Sequence, residues 1–229
     1  MKKLRIVMIS DTHNRHHTMK VPDGDILIHA GDFSMQGHLP EVSRFNEWLG
    51  TLPHKHKIVI AGNHERTFDT LNPTYNPSTK AWLTNCIYLE HQSTVVSVGP
   101  DGPSLKIFGS PYSPEFMSWA FANKSPGQAE NRWKDIPNDT DILVVHGPPH
   151  GFGDKLVSGQ SIGCRELFKR VMQVKPQLVV SGHIHCGRGI RTFEGVTFVN
   201  AACVDEMYEP TQEAIVYDWE FEEEKKDGE

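Results

Sequence analysis

The segment Lys57-Ile-Val-Ile-Ala-Gly-Asn-His-Glu65 decides the fold that this sequence predicts. Ile58 to Ala61 is a continuous apolar run rich in β-branched residues, which is typical of a strand buried on both faces. Gly62 ends the run, and a glycine there can adopt a positive φ or let another group approach the backbone. The polar residues Asn63 to Glu65 follow, at the position where open α/β sheets place their binding crevice. A strand-to-helix turn capped by Asn63 would explain this one segment equally well.

The chain repeats this arrangement of a buried strand followed by polar residues four more times. The other apolar runs are Leu4–Ser10, Asp25–Ala30, Asp141–Val145 and Leu178–Ser181, and the residues that follow them are Asp11 and His13, Asp32, His146, and His183 and His185. In a doubly wound sheet the carboxyl ends of such strands converge on one edge. Any one of these histidines alone would more often be structural. Together the five strand ends offer too many ligands for a single zinc and a suitable number for two metals that share a carboxylate.

The rest of the chain predicts a single α/β domain over residues 1–219, with a charged tail at 220–229 that we expect to fray. Helical periodicity covers Leu39–Leu52 and Cys164–Val174. Short strands are predicted at Ile87–Leu89, Ser93–Val98, Leu105–Ser110, Ile190–Phe193, Val196–Asn200 and Ala214–Trp219, with a turn at Asp101-Gly102-Pro103 and a loop at Thr70–Pro77. Pro111–Asn138 is predicted to be irregular, and its aromatic rings either pin it to the core or form a stacking wall for a base.

Composition narrows the classes of partner and compartment. The 229 residues carry a formal net charge of −6, which argues against binding duplex nucleic acid through a basic surface but allows a small phosphorylated substrate beside bound metal ions. Four cysteines without a C-x-x-C pair predict reduced thiols in a cytoplasmic protein. The first apolar run is broken by Arg5 and ends at Asp11, so we expect no signal peptide, and we expect no membrane span.

The order and spacing of five motifs carry a family resemblance. The motifs are Asp11-x-His13, Gly31-Asp32, Gly62-Asn-His-Glu65, His146 and Gly182-His-x-His185, within residues 6–185. This set resembles the calcineurin-like metallophosphoesterase superfamily, and the segments at 24–27, 45–50, 58–65 and 146–149 resemble its metallophosphoesterase domain-containing protein 1 and 2 branch. The resemblance implies a four-layer α/β sandwich, in which two mixed β-sheets are flanked by helices and the metals lie at the strand ends.

The resemblance also implies a role for each residue of the site. Asp11, His13 and His185 would bind the first metal, Asn63, His146 and His183 the second, and Asp32 would bridge both. His64 would be the acid that faces the leaving group, with Glu65 or a neighbouring carboxylate orienting it; many superfamily members have Asp at this position. Some members of the nearest branch lack the first histidine of Gly-His-x-His, but this chain keeps His183. His150 competes with His146, which we favour because it directly follows the strand.

Imidazole and carboxylate ligands suit Mn, Fe, Zn or Ni, and Mn²⁺ is the ion that we expect. A water bridging two such ions would lose its proton near neutral pH and become the nucleophile. We therefore expect a dinuclear phosphodiesterase that hydrolyses small phosphodiesters or nucleotides, with cyclic nucleotides as the substrates that the resemblance indicates. The oligomeric state is left open.

Two other functions compete with this interpretation. Phosphoprotein phosphatases, which act on monoesters, carry an arginine in the block that corresponds to Gly31–Gly37, and this chain lacks that phosphate clamp. A metal-binding scaffold without catalysis would keep the fold, but such proteins usually lose ligands or the acid, and here all eight positions are filled.

Overall fold

The computed structural model describes residues 2–99 and 102–222, so Asp101 of the predicted turn and most of the predicted tail, residues 223–229, lie outside the described residues. The strands are β1 (Lys2–Ile9), β2 (Ile26–His29), β3 (His56–Ile60), β4 (Ile87–Leu89), β5 (Gln92–Ser97), β6 (Ser104–Ser110), β7 (Ser113–Pro114), β8 (Ala122–Asn123), β9 (Ile142–Val145), β10 (Leu178–Ser181), β11 (Gly189–Phe193), β12 (Val196–Asn200) and β13 (Ile215–Phe221). The α-helices are α1 (Leu39–Thr51), α2 (Pro77–Lys80), α3 (Pro126–Trp133) and α4 (Arg165–Val174), and short 3₁₀ helices cover His16–Thr18 and His185–Gly187.

Two mixed sheets contain nearly all of these strands. In the first sheet the order is β13-β1-β2-β3-β4, with β1 to β4 parallel and β13 antiparallel to β1. In the second sheet the order is β11-β12-β10-β9-β6-β5, with a parallel centre and an antiparallel strand at each edge. Parallel central strands place their carboxyl ends on one edge, which is where the polar residues follow them.

The two sheets stack face to face. Along the central strands, buried side chains alternate between the core that the sheets share and an outer apolar layer beneath the helices. Along β1, Ile6 and Met8 point into the core between the sheets, whereas Val7 and Ile9 pack against the layer that contains Phe45 of α1. The outer face of the second sheet is covered by α3 and α4. The order of layers is therefore helix, sheet, sheet and helices, and the predicted four-layer sandwich is confirmed.

One predicted irregular segment, Pro111–Asn138, is more ordered than the sequence indicates. It contains β7 and β8, and it contains α3, which begins with Ser125 accepting a hydrogen bond from the Gln128 backbone and with Pro126 in the first turn. Only Ala129 and Trp133 of α3 are buried, so the helical period was too sparse to recognise. The prediction of an irregular segment is wrong at this point. Similarly, Pro77, assigned to a loop, begins the one-turn helix α2.

All four cysteines are free thiols in the structure. Within residues 2–99 and 102–222, every helix is too short or too polar to cross a lipid bilayer.

Candidate metal centre

Five loops meet at one end of the sandwich, and they bring the predicted site residues together. The residues and the strands that they follow are Asp11 and His13 after β1, Asp32 after β2, Asn63, His64 and Glu65 after β3, His146 after β9, and His183 and His185 after β10. Backbone hydrogen bonds join these loops, for example from Asp11 N–H to the Gly31 carbonyl and from Gly182 N–H to the His146 carbonyl, both 3.0 Å. The positions of the side chains are therefore set by the sheets.

Three groups of side chains have the composition and spacing of metal ligands. In each group the ligand atoms lie within 4.8 Å of one another, and the groups are Asp11, His13 and His185; Asp32, His146 and His183; and His13, Asp32 and His64. Asp32 belongs to two of them. Its Oδ2 lies 3.2 Å from His146 Nε2 and 3.8 Å from His13 Nε2, so it stands between the first two groups. The Asn63 Oδ1 atom lies 3.0 Å from His146 Nε2 and adds an amide oxygen to the second group.

The hydrogen bonds of the imidazoles leave lone pairs directed at this space. His146 donates its Nδ1–H to the Ala30 carbonyl and His185 donates its Nδ1–H to the Asp205 carbonyl, each at 2.9 Å, because a carbonyl can only accept. When these rings are neutral, their Nε2 atoms face carboxylate and amide oxygens, which are also acceptors, so a proton or a metal ion must lie between them. Both ring nitrogens of His13 are buried without a hydrogen-bond partner. A metal ion satisfies such a set of converging acceptors, so the residues fit the ions that this type of site would hold.

The charges at the site also fit a cation. Asp11 and Asp32 are almost completely buried. Burial alone would raise the pKa of Asp11, but the hydrogen bond with His185 and the nearby imidazoles outweigh this effect and lower the pKa to about 2. Burial lowers the pKa of His146, but the Asp32 carboxylate outweighs this effect and raises it to about 9. The buried carboxylates thus recruit positive charge, which a bound metal ion would supply in place of a proton.

Backbone conformation at the site is unusual. Asp11, His13, Asp32 and His183 all have a positive φ, between 39° and 67°, although none of them is a glycine. Such conformations cost of order 1–3 kcal/mol each and persist where the surrounding structure enforces them. Gly62 provides room for this arrangement, because a Cβ atom there would collide with the Asp32 carboxylate. The role predicted for Gly62, close approach of another group to the backbone, is the one observed.

Glu65 does not orient His64, so that part of the sequence prediction is wrong. The Glu65 carboxylate accepts hydrogen bonds from the backbone N–H groups of Asp32, Ser34 and Gly62 and from the Ser34 hydroxyl. It therefore ties the loop after β2 to the loop after β3. Burial and the nearby Asp32 charge raise the pKa of Glu65 to about 8, whereas these hydrogen bonds oppose the rise. The group that orients His64 is the Met35 carbonyl, 3.0 Å from His64 Nδ1.

Substitution of Glu65 by glutamine is expected to lower the free energy of unfolding of the metal-free protein by roughly 1–3 kcal/mol. In either orientation of the new amide, its NH₂ group would face backbone N–H groups whose hydrogen bonds the carboxylate now accepts. Urea denaturation at pH 9 after chelation of metal measures the change, because Glu65, with its pKa raised to about 8, is ionised at that pH. Glu130→Gln, the same change at an exposed position of α3, should stay within about 0.5 kcal/mol of the native protein. Equal stability of Glu65→Gln would mean that Glu65 is protonated when folded.

A cleft of about 240 Å³ opens beside the centre, and aromatic residues line it or border it, among them Tyr208, which the sequence did not single out. The Tyr208 ring lies 4.7 Å from the His13 ring and 5.5 Å from the His185 ring, measured between centroids. The Trp119 ring packs against His64 with 4.1 Å between centroids and the two planes tilted by 36°. Trp119 falls in the predicted aromatic segment, but Tyr208 follows β12 in a loop with no motif of its own, so no sequence signal could have found it.

Phe116 is the other ring of the aromatic segment that reaches the site, where it lines the cleft 6.4 Å from the His183 ring. Tyr112 and Phe121 pack against each other in the protein core, and Trp133 packs beneath α4. The interpretation that aromatic rings pin the segment to the core is therefore confirmed for Tyr112, Phe121 and Trp133, whereas a stacking wall for a base stays a prediction for Phe116. His150, the rival of His146, pairs with Asp154 at 3.4 Å and belongs to none of the candidate metal groups.

Comparison with known proteins agrees with this architecture. The calcineurin-like phosphoesterase family profile matches residues 4–187. The human protein Metallophosphoesterase domain-containing protein 1 is 42% identical over 93% of this chain and 70% of its own length. The Caenorhabditis elegans UPF0046 protein C25E10.12 is 38% identical over 94% of this chain and 81% of its own.

Among solved structures, phosphopantetheinyl hydrolase from Mycobacterium tuberculosis matches with a TM-score of 0.57 over 87% of this chain and 89% of that chain. At 16% identity this likeness shows a shared fold alone. The family assignment rests instead on the profile and on the two relatives with high coverage. This chain belongs to the calcineurin-like phosphoesterase family of hydrolases.

Proposed function

We propose that the protein is a dinuclear metal-dependent phosphodiesterase that hydrolyses small phosphodiesters, with cyclic nucleotides among the candidate substrates. The observation that carries the proposal is the position of the Asp32 carboxylate, which belongs to one candidate group with His146 and His183 and lies 3.8 Å from His13 Nε2 of the group with Asp11 and His185. Two ions that share one carboxylate are typical of metal-dependent phosphoester hydrolysis.

In this proposal each ion has its own ligand set and Asp32 is shared. Asp11, His13 and His185 would hold one ion, and Asn63, His146 and His183 would hold the other. The buried, unpartnered ring of His13 supports the first set, and the fixed Nδ1–H donors of His146 and His185 support both. Imidazole and carboxylate donors favour Mn²⁺, with Fe, Zn or Ni as alternatives. When bound, such ions activate water and offset charge on phosphoryl oxygens.

His64 would supply the proton that the departing alkoxide needs. Its Nδ1–H donates to the Met35 carbonyl in both protonation states of the ring, so Nε2 is the atom that gains and releases the proton. His64 lines the cleft, and its Nε2 lies 3.9 Å from Asp32 Oδ2. Packing against the tilted Trp119 ring holds the His64 ring from one side. A general acid must be fixed within reach of the leaving group, and these contacts fix it at the edge of the ligand cluster.

The charge of the cleft supports diesters over monoesters. Among the described residues, the cleft lining contains no lysine and no arginine that could clamp the dianion of a phosphate monoester. A diester carries one negative charge and needs no such clamp once metal ions are bound. We accordingly place cyclic nucleotides and other diesters ahead of phosphoprotein substrates.

We expect kcat/KM to be about tenfold higher for bis-p-nitrophenyl phosphate than for p-nitrophenyl phosphate. Where an arginine clamp exists, a hydrogen bond to the second charge of a monoester contributes roughly 1.5–3 kcal/mol, and the described residues of the cleft lining offer no such clamp. The assay uses protein loaded with Mn²⁺ and extends to 2′,3′- and 3′,5′-cyclic nucleotides. A preference for the monoester at equal metal content would favour the phosphatase alternative. Two bound ions without turnover of any ester would favour the scaffold.

A further inference from the structure

Three loops surround the mouth of the cleft, and each presents large apolar side chains to solvent. We define this apolar rim as Phe116, Met117, Leu156, Val157 and Met207, which are 52%, 71%, 36%, 81% and 78% exposed. Phe116 and Leu156 line the cleft itself, and the other three are neighbours in sequence of residues that line it. Apolar surface gathered around a reaction site, at a free-energy cost in water, indicates a bound apolar group.

The loop that carries Leu156 and Val157 is fixed in place. A tight turn closes it, with hydrogen bonds from Leu156 N–H to the Gln160 carbonyl and from Gly159 N–H to the Leu156 carbonyl. The Cys186 thiol, next to His185, donates to the Lys155 carbonyl at 3.2 Å. The apolar rim is therefore attached to the same loop that carries a candidate metal ligand, and it is continuous with the candidate metal centre.

The charges around the cleft disfavour a second anionic group on the substrate. Within the part of the chain that the structure describes, the lining holds no lysine or arginine, and its exposed ionisable groups are the carboxylate of Glu206 and the thiol of Cys186. Arg66 lies nearby, but its guanidinium donates to Gln36 and lies over the Trp119 ring. A second phosphate or a carboxylate on the substrate would thus meet repulsion from Glu206, and the described lining residues include no lysine or arginine to offset it.

We propose that the apolar rim binds the substituent of the phosphodiester that does not leave, and that this substituent is uncharged and apolar. Two sources supply that chemistry, an alkyl or aryl group and the flat face of a nucleobase, which would stack on Phe116. The carboxylate of Glu206 would repel substrates whose second substituent is negatively charged. This inference rests on the proposed diester hydrolysis and names the substrate class of that same site.

The test compares four p-nitrophenyl diesters that share one leaving group. Their second substituents are methyl, hexyl, 5-carboxypentyl and thymidine 5′-yl, all used below micelle-forming concentrations with Mn²⁺-loaded protein. A fully buried methylene contributes about fourfold in affinity, so partial burial of the longer chain should raise kcat/KM for hexyl over methyl by about tenfold. The 5-carboxypentyl diester, equal in length but negatively charged, should lose most of that gain.

Variants assign the effect to the apolar rim. In a Leu156→Ser, Val157→Ser double variant the hexyl-to-methyl ratio should fall below about threefold, because the methylene contacts are removed. In Glu206→Gln the hexyl-to-carboxypentyl ratio should fall by about twofold to fivefold, the usual size of an exposed charge effect. Val95→Ser, which removes an equally exposed apolar side chain on β5 far from the cleft, should leave both ratios unchanged.

The outcomes separate this inference from the function on which it rests. If hexyl gives no gain but the thymidine diester does, and Phe116→Ser removes that gain, the apolar source is a nucleobase. If neither substituent raises kcat/KM over methyl, or if the carboxypentyl diester equals the hexyl diester, the inference is wrong while diester hydrolysis stands. If none of the four diesters is turned over by protein with both ions bound, the proposed function is wrong and this inference with it.

Discussion

Asp32→Ala is expected to release both metal ions and to lower kcat/KM for bis-p-nitrophenyl phosphate by about 10³-fold or more, because metal ions supply several kcal/mol of transition-state stabilisation. The Asp32 carboxylate lies 3.8 Å from His13 Nε2 and 3.2 Å from His146 Nε2, so each ligand set loses the same member. Among the described residues, Asp32 is the one carboxylate that belongs to two of the three candidate groups. His13→Ala, by comparison, removes a ligand from one set and should chiefly weaken one ion.

Metal content per chain, measured after equilibration with Mn²⁺ and gel filtration, distinguishes these variants. The native protein should carry about two ions, as expected for a shared-carboxylate centre. Asp139→Ala, an aspartate exposed beside Lys106 and outside the site, should keep both ions and full turnover. Thermal denaturation of each metal-free variant checks that it is folded. Full occupancy in Asp32→Ala would contradict the bridging role and would leave two independent sites.

The sequence predicted the positions of the site residues because strand burial has a simple signature. The runs at Ile58–Ala61 and Asp141–Val145 are apolar without alternation, since both faces of these strands are covered. Polar residues directly after such strands must lie at the sheet edge. The same runs do not reveal which strand pairs with which, so the residues alone favoured one doubly wound sheet. The division into two stacked sheets came from the family resemblance.

The features that the sequence did not reveal depend on contacts between distant segments. The resemblance implied Glu65 or a neighbouring carboxylate as the partner of His64, but the Glu65 carboxylate turns inward to the backbone of Asp32 and Ser34. Tyr208 reaches three histidines of the site only because the loop after β12 folds back over the ends of β1 and β10. Neither arrangement leaves a periodic or local pattern that could be recognised in advance.

His64→Ala is expected to keep both metal ions and to lose turnover by about 10²–10⁴-fold, the usual contribution of general acid catalysis. The loss should depend on the leaving group. Nitrophenolate is a weak base and departs with little help, so bis-p-nitrophenyl phosphate should suffer least. A ribose alkoxide is a strong base and needs the proton, so a cyclic nucleotide should suffer most. His150→Ala, a histidine paired with Asp154 outside the ligand groups, should keep metal and activity.

The same experiment also tests whether His64 is a metal ligand, because His13, Asp32 and His64 form a candidate metal group. If His64→Ala loses one ion, His64 is a ligand and the proton must come from elsewhere. If it keeps both ions and the two substrates lose the same factor, His64 binds the phosphoryl group and does not protonate the leaving group. Only retained metal together with a larger loss for the cyclic nucleotide supports the acid. The Met35 carbonyl predicts that result, since it holds Nδ1 and leaves Nε2 directed at the cleft.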